Sequence, residues 1–80
     1  MSGSQHVRTV VLSSQPVELY KILKFEGIAE SGAQAKRVID DGQVCVNGEV
    51  ETRRRKKILH GDVIVTNGIR LDIVFQDAVA

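Results

Sequence analysis

Cysteine is almost missing from this chain: Cys45 stands alone, so no internal disulfide can staple the fold. A single thiol cannot build the usual structural zinc site either, and the spacing of His6, Cys45 and His60 matches no zinc pattern. No metal is therefore expected. Tryptophan is absent, and Tyr20, Phe25 and Phe75 are the only aromatics, each at a position compatible with core packing. No apolar run is long enough to span a bilayer, and the start is unlike a signal peptide. With one cysteine, these features point to the cytoplasm. Carboxylates are scattered, and no Gly-rich phosphate loop of the P-loop or dinucleotide type is present. A serine-histidine-acid set could be drawn from any chain of this length, so none is assigned. No catalytic residue, no enzyme activity and no cofactor is expected.

What is present fits one folded domain over residues 1–80, with a hydrophobic share of 42%. The polar lead Met1 to Gln5 is expected to fray. The formal net charge is only +1, yet the charge is unevenly placed. Arg53, Arg54, Arg55, Lys56 and Lys57 are consecutive, and Lys36 with Arg37 forms a second pair, while the acids run scattered from Glu18 to Asp77. A near-neutral protein can still present one strongly positive face.

The β-branched stretch His6 to Leu12 reads as a strand. Ser13, Ser14, Gln15 and Pro16 read as a helix start, because proline loses no useful donor in the first turn. Leu19, Ile22 and Leu23 recur at helical spacing from Val17 to Glu26, and Gly27 is a natural stop. A second helix opens at Ser31, where Gln34 three places on completes a capping-box pattern. Ala35, Val38 and Ile39 form its apolar stripe, Lys36, Arg37, Asp40 and Asp41 its polar side, and Gly42 its end. On that side Lys36 and Arg37 are placed to pair with Asp40 or Asp41. Two helices of about three turns each, a few residues apart, must pack as a hairpin.

The remainder reads as β. Val44 to Val46 lead into Asn47-Gly48, Val50 resumes the strand, and Ile58-Leu59 precede a turn at His60-Gly61-Asp62. Val63 to Val65, Asn67-Gly68 and Ile69 to Phe75 make a second hairpin. Its last strand sets Ile69, Leu71, Ile73 and Phe75 on one face and Arg70 and Asp72 on the other. The fold class is α+β, a helix-turn-helix pair packed on a small, mostly antiparallel β-sheet.

Three blocks carry more than this order of elements. They are Gly27-Ile28-Ala29-Glu30-Ser31-Gly32-Ala33-Gln34-Ala35-Lys36, then Ile39-Asp40-Asp41-Gly42-Gln43-Val44-Cys45-Val46-Asn47-Gly48, then Gly61-Asp62-Val63-Ile64. Together they resemble the S-four domain, the RNA-binding module named after small-subunit ribosomal protein S four, over about residues 17–65. The segment from Glu49 to Arg55 is similar to the small stand-alone bacterial, YbcJ-like members of that family. The resemblance implies an αL helix-turn-helix that binds RNA with no attached enzyme, and a ribosomal or ribosome-associated RNA as ligand. Two departures bear on the expected contacts. Val17-Glu18-Leu19 stands where the family often has Arg-Leu-Asp, and Gly32 stands where arginine often follows the capping serine. Each removes a cation that Arg53 to Lys57 could replace.

On this reading the basic run is a phosphate clamp, since arginine offers a planar fork and lysine a mobile point charge. The plain alternative is a solvated loop. Lys36 and Arg37 lie on the helix that the resemblance lays against RNA. Ser31 and Gln34 rank below them, as caps first and RNA contacts second. The scarcity of aromatics points away from base stacking and toward structured RNA recognised by shape and phosphates. The rival reading is a protein-interaction module whose basic segment docks an acidic partner. A monomer is expected, although the last strand could pair edge to edge into a dimer.

Overall fold

The computed structural model describes residues 6–14 and 16–76. The lead expected to fray lies outside them, as does Gln15. The elements run β1 (His6–Leu12), β2 (Val17–Glu18), α1 (Leu19–Phe25), α2 (Gly32–Asp40), β3 (Val44–Val46), β4 (Glu49–Val50), β5 (Lys57–Ile58), β6 (Val63–Thr66) and β7 (Ile69–Phe75). A five-stranded sheet is ordered β1-β7-β6-β3-β4, and β2 pairs with β5 in a separate two-stranded ladder. All pairings are antiparallel except β1 with β7, which is parallel in the register His6 with Ile69 to Leu12 with Phe75. The architecture is the expected α+β arrangement.

Three expectations change. The first helix starts at Leu19, because Val17 and Glu18 are extended and pair with Ile58 and Lys57. The seven residues of α1 and nine of α2 are therefore about two and two and a half turns, shorter than the three read from periodicity. The strand β7 is no free edge. Its two ladder sides are taken by β6 and β1, so the edge-to-edge dimer through the last strand has no open backbone to use.

Both helices end alike. After α1, Gly27 and Ile28 donate to the carbonyls of Lys24 and Leu23, and after α2, Gly42 and Gln43 donate to those of Ile39 and Val38. This double closure needs a left-handed residue, and Gly27 and Gly42 supply it with φ of 73° and 76°. The hairpins β3–β4 and β6–β7 turn on Asn47-Gly48 and Asn67-Gly68, with both residues of each pair at positive φ as a primed turn demands.

The helices cover one face of the sheet. Leu19, Ile22 and Leu23 of α1 and Ala35 and Ile39 of α2 are buried against Val10, Val44, Val46, Ile58, Ile64, Leu71 and Ile73, with Val38 half-buried beside them. Truncating a fully buried member such as Ile39 to alanine should cost about 2–5 kcal/mol. The buried Thr66 hydroxyl donates to the Gln43 carbonyl at 2.9 Å, so α2's exit loop is tied to β6. Arg8 of β1 donates to the Glu26 carbonyl at 2.8 Å, placing a cation at the end of α1. On the sheet's other face Val7, Val11 and Val50 are exposed.

Candidate nucleic-acid interface

The basic run is folded back onto the start of α1. Glu18, at the helix's N-cap, offers no side-chain cap, and the free N–H groups are met by the run's own backbone. Leu19 N–H donates to the Lys56 carbonyl at 2.9 Å and Tyr20 N–H to the Arg54 carbonyl at 3.1 Å. Helix-end donors must find partners, so this capping fixes where the cations emerge. It also explains the late start of α1.

Inside the run the cations differ. Arg53 grips Glu51 with Nε at 2.9 Å and Nη2 at 3.0 Å, and its backbone N–H adds a third bond to the same carboxylate. Arg54 grips Asp40 of α2, with Nη2 at 2.6 Å and Nε at 2.9 Å. The hydrogen bond from Arg53 lowers the Glu51 carboxyl to about 2, against a partial opposing effect of burial. Asp40 is lowered in the same way by Arg54. Arg55, Lys56 and Lys57 form no ion pair among the described residues. The pairing of Lys36 or Arg37 with Asp40 does not occur; Asp40 is taken by Arg54, fourteen residues away in sequence. The planar guanidinium matches a carboxylate with two parallel bonds, a geometry no lysine offers.

Lys36, Arg37 and Arg54 meet around one shallow hollow that Ala33, Asp40 and Asp41 complete. Lys57 points to a second hollow with Pro16, Lys21 and Phe25. Of the seven expected cations, Lys36, Arg37 and Arg54 are brought together at the first hollow and Lys57 lies at the second, while Arg53, Arg55 and Lys56 line neither. Ser31 and Gln34 act as caps: Ser31 Oγ accepts from Gln34 N–H at 3.1 Å, and Gln34 Oε1 accepts from Glu30 N–H at 2.6 Å. The reciprocal bond reaches Glu30, one residue before the expected position. Tyr20 and Phe75 pack partly against the core, whereas Phe25 is 65% exposed, contrary to the core position expected of it.

Two residues of the sequence blocks have work that their pattern did not reveal. Asn47 Nδ2 donates to Asp62 Oδ1 at 3.0 Å, Asn47 Oδ1 accepts from Val63 N–H at 2.9 Å, and Asp62 Oδ2 accepts from Leu59 N–H at 2.8 Å. Together they clasp the β3–β4 turn to the entry of β6. His60 Nδ1 accepts from Phe75 N–H at 3.0 Å, and Cys45 is half-buried on β3. Among the described residues no group of three His, Cys, Asp or Glu side chains is gathered as a metal site would require.

The sequence profile described as the S4 domain matches residues 10–74, most of the chain. The chain belongs to the S4 domain family. The match runs past the motif core at both ends, into β1 and β7. YbcJ of Escherichia coli is 49% identical over 67 residues, covering 82% of this chain and 96% of YbcJ. RlbA of Bacillus subtilis, named a probable ribosome maturation protein, is 30% identical over 59 residues, covering 74% of this chain and 83% of its own. The solution structure of Escherichia coli YbcJ, described as revealing an αL motif involved in RNA binding, superposes with a TM-score of 0.65 over 82% of this chain and 85% of that one. The αL hairpin of this S4 domain is α1 and α2, the pair on which the basic run is mounted.

Proposed function

We propose that this chain is a non-catalytic module that binds structured RNA through Lys36, Arg37 and the unpaired end of the basic run. The observation that supports this is the capping of α1 by the carbonyls of Arg54 and Lys56, which ties the basic run to the hairpin that carries Lys36 and Arg37, with Arg54 lining the same hollow as those two. Cations so placed neutralise backbone phosphates, which position a protein without reading sequence. Membership of the S4 domain family and the αL motif of YbcJ support RNA as the polyanion. The likeness to RlbA, named a probable ribosome maturation protein, favours a ribosomal or ribosome-associated RNA, and the chain is proposed to act in the cytoplasm as a monomer. No helix among the described residues is long and apolar enough to cross a membrane.

The test is affinity for a structured ribosomal RNA fragment and a matched DNA duplex at several salt concentrations. With Lys36, Arg37, Arg55, Lys56 and Lys57 engaged, log affinity should fall against log salt with a slope of about −4 to −5. A flat dependence would remove the phosphate mechanism. Binding to neither ligand would favour an acidic protein partner for the same face.

A further inference from the structure

Of the two aromatics on the αL hairpin, Phe25 lies beside Lys21 and Lys57 and Tyr20 lies beside Lys36. The backbone N–H of Tyr20 is bonded to Arg54, its ring lies 4.8 Å from the Lys36 ammonium and 5.9 Å from that of Lys21, and the ring is only half-buried. Its hydroxyl forms no hydrogen bond among the described residues. Across the hairpin the ring faces Gly32, the first residue of α2. A Cβ built at Gly32 would lie 3.8 Å from the Tyr20 ring carbon Cε2, an ordinary contact with nothing else nearby. The backbone of Gly32 does not require glycine, since its φ is not in the left-handed region. With no side chain at Gly32, the Cδ2–Cε2 edge of the ring has no neighbouring side-chain atom from this position of α2.

We infer that Tyr20 is a stacking site for one unpaired nucleobase of the bound RNA, which takes the place of the Lys36 ammonium over the ring while Lys36 moves to the phosphate of the same nucleotide. The inference rests on the RNA-binding reading and adds a preference to it. Phosphate contacts alone serve a fully paired helix as well as an interrupted one. An aromatic face is useful only to a base that has left its stack. Tyrosine suits this role because its ring is apolar and its hydroxyl tolerates water. The Lys36 ammonium over the ring holds that face by a cation–π contact, which a base replaces by stacking while the ammonium gains a phosphate.

Tyr20 is the only tyrosine and tryptophan is absent, so the intrinsic emission of the protein reports on this ring alone. The experiment titrates the full chain with two RNA hairpins, identical except that one carries a single unpaired adenine in its stem. Affinity is read from a dye on the RNA and stacking from tyrosine emission. The expected result is about fivefold or greater preference for the interrupted hairpin, with stronger quenching of Tyr20 by that hairpin. Y20L should abolish the ratio and Y20F should keep it. G32R, which needs no change in the core, should tighten binding to the paired hairpin by adding a cation while losing the preference. Salt-dependent binding of both hairpins without preference or differential quenching would overturn the stacking site and leave the RNA reading standing. So would a preference that survives in a folded Y20L or in G32R. Failure to bind either hairpin would overturn both.

Discussion

The two halves of the basic run look alike in sequence and behave differently in the fold. Arg53 and Arg54 each hold a carboxylate with their guanidinium forks, whereas Arg55, Lys56 and Lys57 hold none among the described residues. The first half secures the loop, to its own stem through Glu51 and to α2 through Asp40. The second half is left as net positive charge on the segment that caps α1. A stretch of five cations is thus divided into an anchor and an arm that holds no carboxylate among the described residues, and the proposed function assigns RNA to that arm. The division follows from which cations hold a carboxylate in the fold, Arg53 that of Glu51 and Arg54 that of Asp40.

The largest expected effect breaks the arm. Replacing Arg55, Lys56 and Lys57 together by alanine should weaken binding to structured RNA by about one to two orders of magnitude near physiological salt and make the log–log salt slope shallower by about 3. Replacing Arg53 and Arg54 together should cost less affinity and lower the thermal midpoint. Equal losses of affinity in the two variants would erase the distinction between anchor and arm.

A smaller effect separates stability from binding. Asp62→Ala removes the acceptor of both Asn47 Nδ2 and Leu59 N–H, neither of which belongs to the proposed RNA contacts. Unfolding in urea should show a loss of about 1–2 kcal/mol, with RNA affinity of the folded protein unchanged. An affinity loss there would mean that the β3–β6 clasp belongs to the binding face.

Asp40→Asn is gentler still. It removes a negative charge from the hollow shared with Lys36 and Arg37 and frees the Arg54 fork, so RNA affinity should rise about threefold and the salt slope steepen by about 1. Unchanged binding would show that Arg54 already exchanges freely between Asp40 and phosphate.

The smallest effect is in the pH dependence. The Glu51 carboxyl ionises at about 2 in the fold against 4.5 unperturbed. Between these values the unfolded chain binds more protons than the folded one, so stability rises with pH across that window. The contribution is complete above about pH 5 and is lost as pH falls through 2. Asp40, also lowered by its arginine, acts in the same direction. Thermal midpoints from pH 6 to 2 should fall less steeply in Glu51→Gln than in the natural sequence. Both carboxylates remain ionised between pH 5 and 8, so they leave RNA binding insensitive to pH there.

Local chemistry was legible before any coordinates. The stop at Gly27, the cap at Ser31 and the two Asn-Gly hairpins depend on residues a few places apart, whose backbone preferences act over the same short range. The alternation along Ile69 to Phe75 likewise identified the buried face of β7. The blocks around Gly27, Ile39 and Gly61 were enough to place the chain in its family.

Long-range partnership was not legible. Pro16 is a sound helix opener, but the pairing of Val17 with Ile58, forty-one positions away, holds that stretch extended. The final strand ends the described chain and still is not an edge, because β1 from the other end lies parallel beside it. The sequence by itself determined where the chain turns, which faces are apolar and how many cations cluster. Only the tertiary structure decided which of those cations remain available, since Asp40 and Arg54 meet only when α2 and the loop pack together. A charge in sequence is a property of one residue, whereas a free charge on a surface is a property of its neighbours.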